Sequence, residues 1–157
     1  MDKIIIRKAT SKDLADIQRP NFDLFKKEYN EFDKSLDMEW TYSKEGKKFY
    51  SDRIKNENSL VKVVERDGKI IGYFCGSLVG GFYRRGIHAE MEDALVEEKF
   101  RSKGIGGKLM KDFLDWCKKQ KVNYISAVAT AQNEKAIKLY RKLGFKDYTL
   151  TLEKKIK

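Results

Sequence analysis

The sequence predicts a mixed α/β or α+β fold, in which helices cover the faces of one sheet. Strand-like runs and amphipathic segments follow one another in the order β, α, α, three strands, α, β, α, β. A length of 157 residues suits one domain, 1–157, and no tract rich in proline, serine or glutamine marks a linker. We therefore expect a single compact unit.

The first third of the chain predicts one strand and several helical segments. Ile4 to Ile6 form a short apolar strand, and Thr10 with Asp13 resembles a capping box at a helix start. Pro20 is expected to break or kink that helix, because proline has no amide hydrogen to donate. A further amphipathic segment around residues 22–29 and a helix over residues 44–54 follow.

The remainder predicts a hairpin, further strands and two helices. Asp67-Gly68 is a strong turn signal between two strand-like runs. After it we expect, in order, a strand at residues 88–96, a helix after the glycine-rich stretch, a strand within 123–130, a helix at 133–143 and a last strand at 145–156.

Cysteine and histidine usage argues against a disulfide or metal framework. Cys75 and Cys117 lie inside apolar patterns and are expected to be core thiols in a reducing compartment. With His88 as the one histidine, no zinc site is expected. The chain has neither a secretory apolar segment nor a membrane-spanning length, so we expect a soluble, cytoplasmic protein.

The net charge of +10 is unevenly distributed. Residues 88–100 carry five acids and one base, whereas residues 101–121 carry seven bases and two acids. Two adjoining segments of opposite sign indicate a site that handles an anion on one side and a cation on the other.

Three glycines, Gly104, Gly106 and Gly107, stand at the start of an amphipathic helix. A helix N-terminus has unpaired N–H groups and a positive dipole end, and glycine lets an anion approach them. A plain strand-to-helix turn is the alternative. The spacing fails the Walker A pattern and the dinucleotide fingerprint, both because Leu109 stands where those patterns need another residue.

The remaining pattern, Arg101-Ser-Lys-Gly104-Ile-Gly106, resembles the acyl-coenzyme-A-binding motif of the GNAT superfamily of N-acyltransferases. The segment NEKAIKLYRKLGF, residues 133–145, resembles the superfamily's second motif. Ser102 replaces a frequent glycine, and Glu98 a frequent proline. The resemblance implies a mixed, mostly antiparallel, twisted sheet of about six to seven strands with about four helices.

The same resemblance implies acetyl-CoA as cosubstrate and assigns roles by position. The pyrophosphate is expected on backbone N–H groups of Arg101, Ser102, Lys103, Gly104, Ile105, Gly106 and Gly107. The pantetheine arm is expected on the backbone of Leu95 and Val96 and on Asn133, and the Tyr140 hydroxyl is expected to protonate the leaving thiolate. A core aromatic is the alternative for Tyr140.

The acceptor is expected on the acidic strand. Alternation predicts Glu90 and Glu92 on one face and Asp93 on the other. Residues 92–96 resemble the strand of spermidine/spermine acetyltransferases whose glutamate faces the amine, so Glu92 is the first candidate, followed by Glu90 and Asp93. Charges that only balance nearby lysines are the alternative.

Three function classes follow from these observations. The first is acetylation of a small cationic amine, and the second is acetylation of protein or peptide N-termini or lysines. The third, a nucleic-acid binder, is disfavoured because the acidic strand beside the basic helix would repel a phosphate backbone. We expect no nucleic-acid or membrane partner, and the sequence leaves a homodimer open.

Overall fold

The computed structural model describes residues 3–80 and 83–157. In these ranges the strands are β1 (Ile4–Lys8), β2 (Ser59–Arg66), β3 (Lys69–Val79), β4 (His88–Val96) and β5 (Tyr124–Ala127). The α-helices are α1 (Leu14–Glu31), α2 (Lys44–Lys55), α3 (Ile105–Lys119) and α4 (Glu134–Lys142). The predicted mixed architecture with four helices is confirmed.

The five strands form one sheet in the order β1-β2-β3-β4-β5. The first three pairings are antiparallel, and only β4 with β5 is parallel. The turn at Asp67-Gly68 joins β2 to β3, as predicted, and both residues have positive φ angles. The sheet is therefore mostly antiparallel, with a single parallel pair at one edge.

Apolar side chains pack on both faces of this sheet. On one face Phe74 and Met91 join the inner side of α3, where Leu109 and Phe113 are buried. On the other face Tyr73 of β3 packs with side chains of α1 and α2. Both cysteines are buried free thiols, as the sequence indicated.

Two expectations about local structure are wrong. Pro20 does not break the helix: it lies inside α1, which continues to Glu31, so residues 22–29 belong to the same helix. The predicted last strand is not formed: residues 145–157 have no regular structure and all but Phe145 are exposed. The sheet of the described residues thus has five strands instead of six to seven.

The start of α1 follows the predicted capping chemistry. Asp13 accepts hydrogen bonds from the Thr10 amide at 2.7 Å and from its hydroxyl at 3.0 Å, and it pairs with Arg7. Among the residues described, no helix has both the length and the apolar character that crossing a bilayer requires.

Candidate functional site

The sheet opens between β4 and β5. Register pairs join β4 residues 88–91 to β5 residues 124–127, and no pairing continues from Glu92 to Val96. One edge of β4 in this stretch is consequently free of a neighbouring strand among the described residues. A free strand edge presents N–H and C=O groups to an extended ligand.

The backbone of Ala94 and Val96 points to this free edge. The amide of Glu97 donates to Ile71 at 2.9 Å, which turns residue 97 toward β3. In an antiparallel pair the backbone direction alternates, so Leu95 also faces β3, while Val96 and Ala94 face away. Leu95 thus presents its backbone to β3, whereas Ala94 shares the free edge with Val96. The pantetheine role of Leu95 and Val96 stays a prediction.

Residues 101–107, here called the glycine loop, follow β4 directly. Arg101 donates from Nε to the Val96 carbonyl at 2.7 Å, which ties the loop to the end of β4. The helix α3 begins at Ile105, whose side chain is buried, and its first internal hydrogen bond runs from Lys108 to Gly104 at 3.1 Å. No backbone N–H of residues 102–107 donates to a backbone carbonyl in the described chain.

The glycines keep those N–H groups accessible. Gly104 has φ +76° and caps α3 in the left-handed conformation that favours glycine. Gly106 and Gly107 have no atom within 4 Å of the place where a Cβ would stand. The positive end of the helix dipole, the unpaired donors and the open space are features that suit an anion.

Ser102 and Lys103 are the two residues of the glycine loop directly before Gly104. Ser102 has φ +63°, so it adopts the left-handed conformation without being glycine. The Lys103 ammonium lies 5.6 Å from the centre of the Phe100 ring. Both side chains are exposed, and Lys103 adds positive charge to the loop.

A β-bulge rearranges the acids on β4. Cys75 pairs with Asp93 and Gly76 with Met91, so Glu92 has no opposing residue on β3. A bulge breaks the alternation of side chains. Glu92 and Asp93 therefore both contact residues of α2, and the expectation that they occupy opposite faces is wrong. Glu90, Glu92 and Asp93 are here called the acidic bulge.

Glu92 is paired within the protein. It accepts a hydrogen bond from Nε of Arg53 at 2.7 Å and a second one from the same guanidinium. The Ser77 hydroxyl donates a further hydrogen bond to it at 2.9 Å. Burial acts to raise the pKa of Glu92, but the hydrogen bonds from Arg53, Cys75 and Ser77 outweigh it and hold the pKa below its usual value. Glu92 is thus a carboxylate at neutral pH.

Asp93 belongs to a buried polar network on the face of the sheet that α1 and α2 cover. Tyr50 donates to it at 2.8 Å, and Asn21 joins Tyr50 and Tyr73 through its amide at 2.6 and 2.9 Å. The second carboxylate oxygen of Asp93, Oδ1, is buried without a hydrogen-bond partner. Burial raises the pKa of Asp93 to about 6, although the tyrosine hydroxyls counteract the rise.

Glu90 and Glu28 are half-buried acids that make no ion pair in the described chain. Burial raises the pKa of Glu90, and the charge of Glu92 adds to the effect. Burial raises the pKa of Glu28 on α1, and a hydrogen bond with Thr130, which follows β5, counteracts the rise. The charge of Glu28 also acts on Tyr140. A raised pKa makes a carboxylate a better proton acceptor.

The second motif forms α4 and its cap. Asn133 caps this helix, accepting the Ala136 amide at 3.1 Å, so its side-chain oxygen is engaged. Tyr140 is half-buried against the α3 side of the core. Burial, followed by the charge of Glu28, raises the pKa of Tyr140, which keeps its hydroxyl protonated at neutral pH.

Sequence reasoning missed Arg53, Tyr50, Glu28 and Ala94. The first three come from helices remote in sequence, and no local spacing connects them to β4. Ala94 could have been found, because strand alternation fixes which backbone groups share an edge with Val96. In residues 3–80 and 83–157 no group of three or more acids, histidines or cysteines is arranged to hold a metal ion.

Curated relatives share part of their length with this chain. An uncharacterised N-acetyltransferase of Methanocaldococcus jannaschii is 27% identical over 144 residues, which are 90% of this chain and 60% of that protein. A putative [ribosomal protein bS18]-alanine N-acetyltransferase of Bacillus subtilis is 27% identical over 101 residues, 61% of this chain and 60% of that protein. The chain thus spans about 60% of the length of these relatives.

Solved structures share the fold. A tetramutant of the BH1408 protein of Bacillus halodurans has a TM-score of 0.81 at 24% identity, covering 97% of this chain and 99% of that one. The aminoglycoside N-acetyltransferase AAC(6')-Iy, solved with CoA, has a TM-score of 0.75 at 14% identity, covering 99% and 97%. Since residues 18–145 also match the pattern of the Acetyltransferase (GNAT) family, the chain belongs to that family.

Proposed function

We propose that this protein is an acetyl-CoA-dependent N-acetyltransferase that acetylates a primary amine, with a small cationic amine as its acceptor. The observation that carries the proposal is the row of unpaired N–H groups at residues 102–107 of the glycine loop, directly beside the free edge of β4. The Arg101 amide is engaged, since it donates to the Glu98 carbonyl at 3.1 Å. The loop suits a pyrophosphate and the strand edge suits an extended pantetheine amide chain. A coenzyme bound to the glycine loop and to the strand edge would bring its thioester close to the acidic bulge.

The reaction proposed is a direct attack in a ternary complex. The amine nitrogen forms a bond to the thioester carbonyl carbon, the carbon–sulfur bond breaks, and the thiolate leaves. Tyr140 is placed on α4 with a protonated hydroxyl and gives its proton to the thiolate sulfur. A carboxylate takes the proton that the acceptor ammonium must lose before it attacks. The second proton, which the nitrogen loses as the amide forms, returns to the Tyr140 oxygen and restores the hydroxyl.

The acidic bulge and Glu28 together supply the carboxylates for the acceptor. Glu92 is the first candidate from the sequence, and its bidentate pair with Arg53 keeps it ionised and fixed in position. Glu90 and Glu28, which make no ion pair in the described chain, have the raised pKa values of proton acceptors. A cationic amine is thus attracted chiefly by Glu90 and Glu28, because the charge of Glu92 is balanced by Arg53.

Comparisons support a small-molecule acceptor. AAC(6')-Iy has been solved with a bisubstrate analogue of CoA and acetylneamine, and an aminoglycoside acetyltransferase from a soil metagenome has been solved with sisomicin. The similarity to the Bacillus subtilis protein named for ribosomal alanine acetylation favours a second candidate, acetylation of protein N-termini or lysines.

A free-thiol release assay with acetyl-CoA tests the proposal. Polyamines, aminoglycosides, amino acids and N-terminal peptides are compared as acceptors, and we expect the largest kcat/KM with a small cationic amine. A response confined to peptides would replace the first candidate by the second. No thiol release with any amine would contradict the enzymatic assignment.

Tyr140→Phe tests the acid. This change keeps the ring and its packing but removes the proton, so turnover should fall roughly 10²-fold with acetyl-CoA affinity unchanged. Tyr124→Phe, an exposed tyrosine on β5, is the matched control. Unaltered turnover of Tyr140→Phe would return this residue to a packing role.

A further inference from the structure

The guanidinium of Arg53 is held in place on two of its sides. Its Nε donates to Glu92 at 2.7 Å, and its Nη2 donates to the other oxygen of the same carboxylate. Ser77 and Cys75 donate to Glu92 at 2.9 and 3.2 Å, so the carboxylate itself is fixed. The Phe49 ring covers one face of the guanidinium, with its centre 3.5 Å from Cζ. The group is therefore oriented before any ligand binds.

The second edge of this guanidinium has no partner within the described chain. A guanidinium can bind a carboxylate through two N–H groups on either of two edges, and Glu92 occupies the edge formed by Nε and Nη2. The other edge is formed by Nη1 and the remaining N–H of Nη2. In residues 3–80 and 83–157, Nη1 of Arg53 has no hydrogen-bond partner. It is not one of the buried atoms that lack a partner, and the side chain is 26% exposed, so this edge is accessible.

A half-buried acid, Glu90, lies close to Arg53. The charge of Arg53 counteracts the rise in the pKa of Glu90, so the two side chains are near each other. Among the described residues Glu90 makes no ion pair, whereas Glu92 is already paired with Arg53. This part of β4 therefore presents an accessible guanidinium edge and an acid side by side, which are the two groups that a zwitterionic ligand requires.

We propose that the acceptor is an amino acid with a cationic side chain, and that its carboxylate binds the second edge of Arg53. The proposal rests on the acetyltransferase function, and it narrows the small cationic amine to one that also carries a carboxylate. A polyamine would bring only positive charge to this edge and would be repelled by it. An amino acid instead forms a bidentate charge-assisted pair with a group whose orientation is already fixed. Glu90 and Glu28 remain for its ammonium groups.

Two acceptors that differ in the carboxylate test the proposal on the unaltered protein. L-lysine carries the carboxylate, and L-lysinamide keeps both amines but has a neutral amide in its place. With acetyl-CoA as donor and thiol release as the readout, we expect kcat/KM to be roughly 30-fold higher for L-lysine, the effect of one bidentate charged pair. An equal or higher value for L-lysinamide would overturn the proposal and leave the acetyltransferase function intact.

Arg53→Lys tests whether this residue causes the preference. A lysine ammonium can still pair with Glu92, but it has no second edge, so the preference for L-lysine over L-lysinamide should be lost. Both acceptors are measured on one preparation, so a partial loss of folded protein cancels in the ratio. Arg7→Lys is the matched control, because Arg7 of β1 forms a bidentate pair with Asp13 at the far edge of the sheet, and there the preference should persist. A preference that survives in Arg53→Lys would place the carboxylate on another cation and overturn the proposal.

Titration calorimetry with CoA bound to the protein separates this proposal from the proposed function. We expect L-lysine to bind roughly 30-fold more tightly than L-lysinamide, whether or not an acetyl group is transferred. That result without thiol release would support the Arg53 site and overturn the acetyltransferase function. Thiol release with polyamines alone, or no binding of L-lysine, would overturn the Arg53 site.

Discussion

The glycine loop and the acidic bulge of β4 use different parts of the chain for their chemistry. The glycine loop offers backbone N–H groups, and its glycines have open space on their ligand side. The acidic bulge offers side chains, and the partners of those side chains come from α2 and β3. One region is therefore a local property of seven residues, whereas the other depends on the assembled fold.

Because of this difference, substitutions in the two regions should affect ligand affinity and protein stability to different extents. A change at Gly106 or Gly107 of the glycine loop alters the space and donors for a ligand without removing a side-chain contact inside the protein. A change in the acidic bulge breaks hydrogen bonds that also hold α2 to the sheet, so catalysis and folding respond together. Substitutions in the two regions measure that separation.

Gly106→Val should give the largest effect, and on binding alone. The new side chain fills the space that a phosphate would occupy, and the loss of two charge-assisted hydrogen bonds at about 2 kcal/mol each predicts a Kd for acetyl-CoA raised on the order of 10³-fold. The stabilisation that acetyl-CoA gives against heat should vanish. Titration calorimetry and thermal unfolding measure both.

Gly106 is a cleaner test than Gly104, because the left-handed φ of Gly104 would strain any other residue. Gly80→Val, which also meets no atom within 4 Å and lies outside the loop, is the control. Normal acetyl-CoA binding by Gly106→Val would show that these glycines serve only the backbone turn.

Glu92→Gln should lower activity and stability together. The shape of the side chain is kept and its charge removed, so kcat/KM for cationic amines should fall roughly 10²-fold and the pH–rate profile should move, with acetyl-CoA affinity unchanged. Arg53 loses its charged partner, and the free energy of unfolding should drop by about 2 kcal/mol. Steady-state kinetics and urea unfolding supply the two numbers.

The exposed Glu98→Gln is the control for the same loss of charge. If Glu92→Gln weakened acetyl-CoA binding and left the acceptor kinetics intact, Glu92 would have no acceptor role. Glu90 would then be the next residue on β4 to replace.

Asp93 should make the stability fall as the pH rises from 5 to 7. Its folded pKa of about 6 lies above the ordinary 3.8, so the folded protein retains a proton that the unfolded chain releases. The stabilising contribution is complete below pH 4 and is lost as the pH rises through 6, a loss of about 1 kcal/mol between pH 5 and 7. Urea unfolding at pH 5, 6 and 7 measures it.

Asp93→Asn is the reference for this titration, since asparagine binds no proton in the range. The difference in unfolding free energy between the two proteins should change with pH by the same amount. A pH-independent difference would mean that Asp93 keeps an ordinary pKa despite its burial.

The same contrast explains what the sequence could predict. The glycine loop and its Arg101 lie within one short segment, where spacing and backbone rules suffice. The face of Asp93 could not be predicted, because a single bulged residue reverses alternation and depends on pairing with β3. Likewise, the partnership of Arg53 with Glu92 joins residues 39 positions apart, which no pattern in the sequence records.

The fold elements also differ in whether local sequence signals or tertiary contacts determine them. The hairpin, the capping residues and the helices α2, α3 and α4 carry local signals, and the structure places them as predicted. Pro20 misled the prediction because the packing of α1 against the sheet outweighs the lost hydrogen bond. The strand pattern of residues 145–156 is present in the sequence, but a strand also needs a partner, and in the described chain these residues pair with none.

Ser102→Gly should give the smallest effect, a gain in stability without a change in binding chemistry. Ser102 has φ +63°, a conformation that costs an L-residue more than it costs glycine, and the gain is reduced because glycine also frees the unfolded chain. We expect the free energy of unfolding to rise by about 0.5 kcal/mol. The same change at Ser51 inside α2 should instead destabilise by about 0.5 kcal/mol, since helical backbone gains nothing from glycine. Urea unfolding of both variants measures the sign of the change in the free energy of unfolding. A loss of stability in Ser102→Gly would show that the serine side chain contributes more to the glycine loop than its backbone strain costs.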